Sequence, residues 1–244
     1  MNTSSPLLLR CRALEVGHSG RALLPPIDVE VHTGDFWAVI GRNGSGKTTW
    51  VRTVLGLLSP VGGNVELPRR NLRMSYLPQR AAMDELYPLL AREVVRLGVL
   101  RDWSFLRPDF GKEPPEVERS LAEMGVSDLA SRPFRQLSEG QKQRVLFARV
   151  AASDAELAIL DEPTSAMDLV AEREAFGLLD QLRKNHRMAV VIVSHYLGLV
   201  RDVADRALLL DRDTPAVVLG TPKEVFSHSA FVARYGDSVP PSHD

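Results

Sequence analysis

The sequence predicts an α/β fold built on a parallel sheet, and three stretches predict it. An apolar, β-prone run at residues 36–40 (FWAVI) leads into GRNGSGKTT at residues 41–49, and residues 48–58 then carry apolar side chains at helical spacing. A second apolar run, residues 157–160 (LAIL), ends in the adjacent acids Asp161 and Glu162, followed by Pro163. A third, residues 188–193, ends at Ser194 and His195. Short buried strands that each end in polar residues, with helical segments between them, are the pattern of a sheet whose carboxyl ends share one rim.

Residues 41–49 fit G-x-x-x-x-G-K-[ST], with Gly41, Gly46, Lys47 and Thr48 in the defining places, so the fold class is a P-loop NTPase core. Glycines let consecutive backbone N–H groups curl around a phosphate, and the helix that follows aims its positive end at the same anion. Asn43, Gly44, Ser45 and Thr49 complete that cradle. Lys47 is expected to reach the β- and γ-phosphates of ATP, and the Thr48 hydroxyl to ligate Mg2+. The bland alternative is a glycine turn with a solvated lysine, and the strand before and helix after weigh against it.

Alternation along a strand points Asp161 and Glu162 in different directions. Asp161 is therefore assigned to Mg2+ and Glu162 to the attacking water, as general base or water-positioning group. An isolated acidic pair after a strand would read as a solvated turn; beside a P-loop it reads as chemistry.

Further motifs follow in order: LPQ ending at Gln79, LSEGQ at residues 137–141, SAMD at residues 165–168 and IVSH ending at His195. With these the chain resembles an ABC-type nucleotide-binding domain over nearly its whole length. The resemblance makes Gln79 the Q-loop glutamine, LSEGQ the signature, Asp168 part of the D-loop and His195 the switch histidine. It implies a single ABC ATPase domain over residues 1–235, in which the β-rich start (residues 7–31) is an antiparallel β subdomain and residues 83–152 or so form a helical signature subdomain.

The residues agree with those roles. Gln79 follows a strand expected at residues 74–77, and its amide can both ligate Mg2+ and hold a water. Ser138 and Gly140 begin a helix expected over residues 141–152, giving a hydroxyl and free N–H groups to an anion, with Gln141 beside them. A plain helix N-cap is the alternative. In the resemblance this surface faces ATP held by a second copy's P-loop, so two chains sandwich two ATP molecules. The His195 imidazole can donate to the γ-phosphate. Asp168 bridges the subunits by resemblance, although an acid at the start of a helix over residues 169–182 is equally natural.

Three positions depart from the pattern. Glu139 replaces a second glycine of the signature and is expected to point to solvent, away from phosphate charge. His18 stands where an aromatic ring commonly stacks on adenine; it is either a smaller stacking face or an ordinary surface residue. Tyr196 stands where an aspartate often follows the switch histidine, and the sequence offers no physical account of it.

Composition narrows the classes. The 244 residues suffice for one α/β unit with a subdomain, and 30 basic against 31 acidic residues give no support to nucleic-acid binding. One cysteine, Cys11, excludes a disulfide framework and is expected to be buried or half-buried; the six histidines lack the spacing of a transition-metal site. The apolar run at residues 7–9 is too short for an export signal. The run at residues 188–200, interrupted by Ser194 and His195, falls short of the ~20 residues of a membrane span. A turn-rich stretch, residues 107–116, divides two helical patterns, and the tail, residues 236–244, is expected to fray.

Residues 77–98, with Arg80, Asp84, Tyr87 and Pro88, resemble the Q-loop region of ATPase subunits from zinc, manganese or iron importers. Residues 220–236 resemble both that group and the ATPases of iron-chelate, haem or cobalamin uptake. The resemblance implies a peripheral subunit on the cytoplasmic face of the inner or plasma membrane. Its partners would be an integral membrane permease, docked through residues such as Tyr87, Pro88 and Leu89 unless these merely pack the insert, and an extracytoplasmic substrate-binding protein. A soluble ABC ATPase of DNA maintenance or translation, or a small-molecule kinase using the P-loop alone, are the competing classes.

Overall fold

The structure, a computed structural model, describes residues 5–79, 89–100, 113–164 and 167–236. The chain begins with β1 (Leu7–Glu15), the short hairpin β2 (Gly17–His18) and β3 (Arg21–Ala22), and β4 (Ile27–His32). There follow β5 (Phe36–Ile40), α1 (Lys47–Val54), β6 (Gly62–Glu66), β7 (Met74–Leu77), α2 (Ala91–Val99), α3 (Pro115–Glu123) and α4 (Glu139–Ala152). The rest alternates: β8 (Leu157–Asp161), α5 (Leu169–His186), β9 (Ala189–Val193), α6 (Leu197–Val203), β10 (Arg206–Asp211), β11 (Ala216–Gly220), α7 (Pro222–Ser227) and α8 (Ser229–Tyr235).

The main sheet has the order β11-β10-β5-β9-β8-β7, parallel throughout except for the antiparallel edge strand β11. Every residue of β5, β8 and β9 is buried, the signature of strands covered on both faces. Their alternation divides the core in two. Phe36, Ala38 and Ile40 face a helical layer with Phe147, Val145 and Phe176. Trp37 and Val39 face the opposite way, packing with Trp50, Val51 and Val54 of α1 and with Leu9, Val29 and Val31 of a second sheet. That sheet, order β4-β1-β6, is antiparallel as the β-rich start implied, but it also recruits β6 from beyond the P-loop helix. The sequence of β6, GGNVE, has no apolar alternation to announce it.

Element ends differ from expectation for local reasons. The P-loop helix stops at Val54 rather than at residue 58, because Gly56 turns the chain with φ 71. The turn-rich stretch already contains the start of α3, where Pro115 takes the first helical position that its fixed φ suits. Helix α5 runs four residues past residue 182, to His186, ending on Arg187 at φ 51. The run at residues 188–200 divides into β9 and α6, and among the described residues no helix is long and apolar enough to cross a membrane. Residues 237–244 of the tail lie outside the described residues. Cys11 is buried, and burial, followed by the charge of Asp28, pushes its thiol up to about 12.

Glu172 of α5 is a fully buried acid. Its Oε1 accepts from Thr164 Oγ1 at 2.6 Å, while Oε2 has no hydrogen-bond partner. Burial pushes its carboxyl from 4.5 up to about 7, with Thr164 opposing. Between those values the native chain keeps a proton that the unfolded chain releases, so stability from this residue falls as pH rises through that window. Glu172→Gln keeps an acceptor for Thr164 without the charge. It is expected to be more stable than the parent at pH 8 by roughly 1–3 kcal/mol and nearly equal to it at pH 5. Thermal melts across that range check it; a variant less stable at pH 8 contradicts the assignment.

Candidate functional site

Because β10, β5, β9, β8 and β7 are parallel neighbours, the segments after them share one rim in that spatial order. Arg212 follows β10, the P-loop follows β5, His195 follows β9 closely, Asp161 and Glu162 end β8, and Gln79 follows β7. Residues far apart in sequence therefore meet without any local motif joining them.

The P-loop depends on two glycines in particular. Gly41 has φ 154, and a Cβ there would lie 2.4 Å from the Leu210 carbonyl oxygen and 2.5 Å from Ser45 Oγ. Gly46 has φ 102 at the N-cap of α1 and supplies no side-chain cap, so the first-turn N–H groups remain for a ligand. Lys47 is 4% exposed and donates from Nζ to the carbonyls of Gly41 at 2.8 Å and Arg42 at 3.0 Å. Burial lowers its pKa from the ordinary lysine value, and the charges of Glu162 and then Asp161 oppose that.

Asp161 is 1% exposed, and neither carboxylate oxygen has a hydrogen-bond partner. Burial raises its pKa; the Thr48 hydroxyl opposes the shift without reaching regular hydrogen-bond geometry. An orphaned carboxylate beside a hydroxyl is an all-oxygen donor set, which fits a hard divalent cation such as Mg2+. Glu162 does not simply continue the strand alternation. Its backbone takes φ 50, an uncommon conformation for a residue with a Cβ, and this turns its side chain into the rim. There Gln79 Nε2 donates to Oε2 at 2.9 Å, His195 Nε2 lies 2.6 Å from Oε1, and Lys47 Nζ lies 3.8 Å from Oε1. The three side chains that the sequence aims at a γ-phosphate converge here on the Glu162 carboxylate.

A cavity of about 810 Å3 runs along the rim, lined by His18, Asn43, Gly44, Gly46, Lys47, Thr48, Thr49, Gln79 and Glu162. Gly41, Ser45 and Asp161 are buried, and His195 joins through Glu162. Arg21 and Arg212 also line the cavity and were missed in the sequence. Arg21 could have been found as the hairpin neighbour of His18; Arg212 carries no sequence signal, since only the order of strands brings it there.

Ser138, Gly140, Gln141 and Asp168 do not line this cavity. Ser138 and Gln141 form a capping box: the Ser138 N–H donates to Gln141 Oε1 at 3.0 Å and the Gln141 N–H to Ser138 Oγ at 3.3 Å. The hydroxyl keeps its own proton for donation. Gly140 faces open space, and Glu139 is paired with Lys142 at 3.1 Å with its side chain half exposed. Asp168 is the N-cap of α5, accepting from the N–H groups of Val170 and Ala171. Tyr196 now has a physical account: its hydroxyl donates to the Met167 carbonyl at 3.4 Å, tying the turn after His195 to the residue before Asp168. Arg80, Asp84, Tyr87, Pro88, Ser165 and Ala166 lie outside the described residues. Leu89 packs against the helical core, and its carbonyl accepts from the Phe134 N–H.

A P-loop, an orphaned acid for a cation and a second acid among potential phosphate ligands define a nucleoside-triphosphatase. A family profile described as ABC transporter matches residues 24–165. The zinc import ATP-binding protein ZnuC of Pseudomonas entomophila (strain L48) is 37% identical over 235 residues, covering 96% of this chain and 86% of that one. ZnuC of Pseudomonas fluorescens (strain Pf0-1) is 36% identical, covering 97% and 85%. Among solved structures, one described as an inward-facing metal-chelate type ABC transporter superposes with TM-score 0.81 at 27% identity, covering 94% of this chain and 89% of that one. A nucleotide-free ATP-binding cassette shares the fold with TM-score 0.79 at 20% identity, covering 94% and 99%. The chain belongs to the ABC transporter family, as its ATP-binding and ATP-hydrolysing subunit.

Asp161→Asn is expected to separate stability from function. Removing an unpartnered buried charge should raise Tm by about 2–4 °C, the shift that ~1 kcal/mol gives a chain of this size. The same change should weaken Mg2+-dependent binding of ATP. Calorimetric melts with and without Mg-ATP check both; a fall in Tm would show the carboxylate to be structurally satisfied.

Proposed function

We propose that this chain powers import of a transition-metal ion, zinc in the first instance, through a separate membrane permease. The observation that carries it is the 36–37% identity to zinc import ATP-binding proteins over 95–97% of the chain. The metal-chelate type transporter at 27% identity favours a second reading, uptake of a metal chelate by the same machinery. The cargo is handled by the permease and an extracytoplasmic binding protein; among the described residues no group of three or more His, Cys, Asp and Glu side chains is placed to hold a metal ion.

In this reading the N–H groups of residues 43–49 hold the phosphates of ATP, and Lys47 neutralises the β- and γ-phosphates. Thr48, Asp161 and Gln79 would hold Mg2+, which when bound supplies charge neutralisation to the triphosphate. The γ-phosphate competes with Glu162 for Lys47, Gln79 and His195. Released from them, Glu162 takes a proton from the attacking water, while Gln79 positions that water and His195 donates to the γ-phosphate. The cavity provides these groups on one side only. Ser138, Gly140 and Gln141 of a second copy cover the nucleotide from the other, with Asp168 at the subunit boundary, so two chains enclose two ATP molecules. Hydrolysis removes the bridge and lets the subunits part.

Glu162→Gln is expected to retain ATP binding, lose turnover by about 100-fold or more and accumulate an ATP-dependent dimer in size-exclusion chromatography. Trapped in its native cell, it should co-purify with a multi-span membrane protein, and deletion of the gene should impair growth under zinc limitation. Monomer with normal hydrolysis would overturn the base assignment and the sandwich together. Ser138→Arg is expected to abolish cooperative turnover with ATP binding intact, and unchanged activity would refute the signature's role.

A further inference from the structure

The rim cavity is chemically asymmetric. Gln79, Glu162 and His195 stand at the ends of β7, β8 and β9, all on one side of β5. Arg212 stands past β10, on the other side, two residues beyond the Leu210 carbonyl that Gly41 approaches. The β2–β3 hairpin meets the same cavity. His18 and Arg21 are cross-strand partners, joined by a turn in which Ser19 has φ 51 and Gly20 φ 73, the tight two-residue type that twists with its strands. Directly opposed partners lie on one face of the ribbon, and here both line the cavity. A triphosphate whose γ end lies among Gln79, Glu162 and His195 must extend its nucleoside away from them, toward His18, Arg21 and Arg212.

We propose that Arg21 and Arg212 determine nucleobase specificity, making this end of the cavity a hydrogen-bond-donor frame that accepts guanine at least as readily as adenine. The inference rests on the nucleotide site proposed above. Neither arginine is held in an ion pair among the described residues, and both are exposed to the cavity. A guanidinium offers five donors in a planar fork and no acceptor. Guanine presents O6 and N7 side by side as acceptors, which match that fork; adenine presents N7 beside an amino donor, which does not. The His18 ring gives a smaller stacking face than a phenol or indole, so recognition at the base edge carries more of the selectivity.

The test uses the full chain with Mg2+ and measures displacement of a fluorescent ATP analogue by ATP, GTP and inorganic tripolyphosphate. The parent is expected to bind GTP within about threefold of ATP, or more tightly, the fork contacts being partly solvated. Arg21→Ala and Arg212→Ala should each weaken GTP by roughly threefold to tenfold more than ATP, leaving tripolyphosphate, which has no base, unchanged and so reporting an intact P-loop. A parent that prefers ATP by more than about tenfold overturns the inference, as does an equal loss of all three ligands, which would make the arginines phosphate contacts. Failure of the parent to bind any of the three would instead overturn the nucleotide site itself.

Discussion

The constraint on which this structure depends is that β5, β8 and β9 are buried on both faces. A strand covered twice has no polar face on which to carry chemistry, so its polar residues are forced to its ends. Parallel pairing then puts those ends on the same rim. The P-loop, His195 and the acid pair become neighbours as a consequence of hydrophobic burial rather than of any attraction between them. Trp37 and Val39 on one face, and Phe36, Ala38 and Ile40 on the other, hold β5 between two cores. Movement of that strand would require both cores to repack, which makes the rim a rigid base for groups that must be placed to within a fraction of an ångström.

Much of this was legible in the sequence because the relevant signals are local. Strands β5 and β7 fall within the residues expected for them, and the P-loop pattern fixes a backbone shape as well as a residue set. Gly41 illustrates the point: its place in the pattern corresponds to a site where any side chain would meet the Leu210 backbone. The expected burial of Cys11 and the outward turn of Glu139 likewise follow from residue type. What could not be read comes from long-range placement. Strand β6 pairs with β1 through a largely polar, glycine-rich sequence whose partner decides its conformation. Arg212 reaches the cavity only because β10 lies beside β5. Tyr196 has a reason beside His195 only because the fold brings the Met167 carbonyl to its hydroxyl.

Residues 162–164 and 167–168 flank residues 165–166, which lie outside the described residues, and both flanks are anchored. At one end Glu162 contacts Gln79 and His195; at the other Asp168 caps α5, and between them Thr164 is held by buried Glu172. Tyr196 adds a tie from the His195 turn to Met167. The described residues on both sides of residues 165–166 are thus fixed by hydrogen bonds to α5, to Gln79 after β7 and to the turn after β9. Buried and part-buried hydrogen bonds of this kind hold their groups more firmly than solvated ones do.

Glu162 itself is where nucleotide would act in the proposed mechanism. A non-glycine residue in the left-handed region costs on the order of 1–2 kcal/mol, and Glu162 adopts it at φ 50. Contacts from Gln79, His195 and the nearby Lys47 ammonium offset that cost by satisfying its carboxylate. The same donors suit a γ-phosphate, which carries more charge and more acceptor oxygens than a carboxylate. In the proposed mechanism phosphate and Glu162 would compete for one set of ligands, and the loser would be a strained residue whose remaining acceptor capacity is free to engage water. Binding would then activate the base by taking its partners away, so the positioning of ATP and the release of the catalytic carboxylate become a single event.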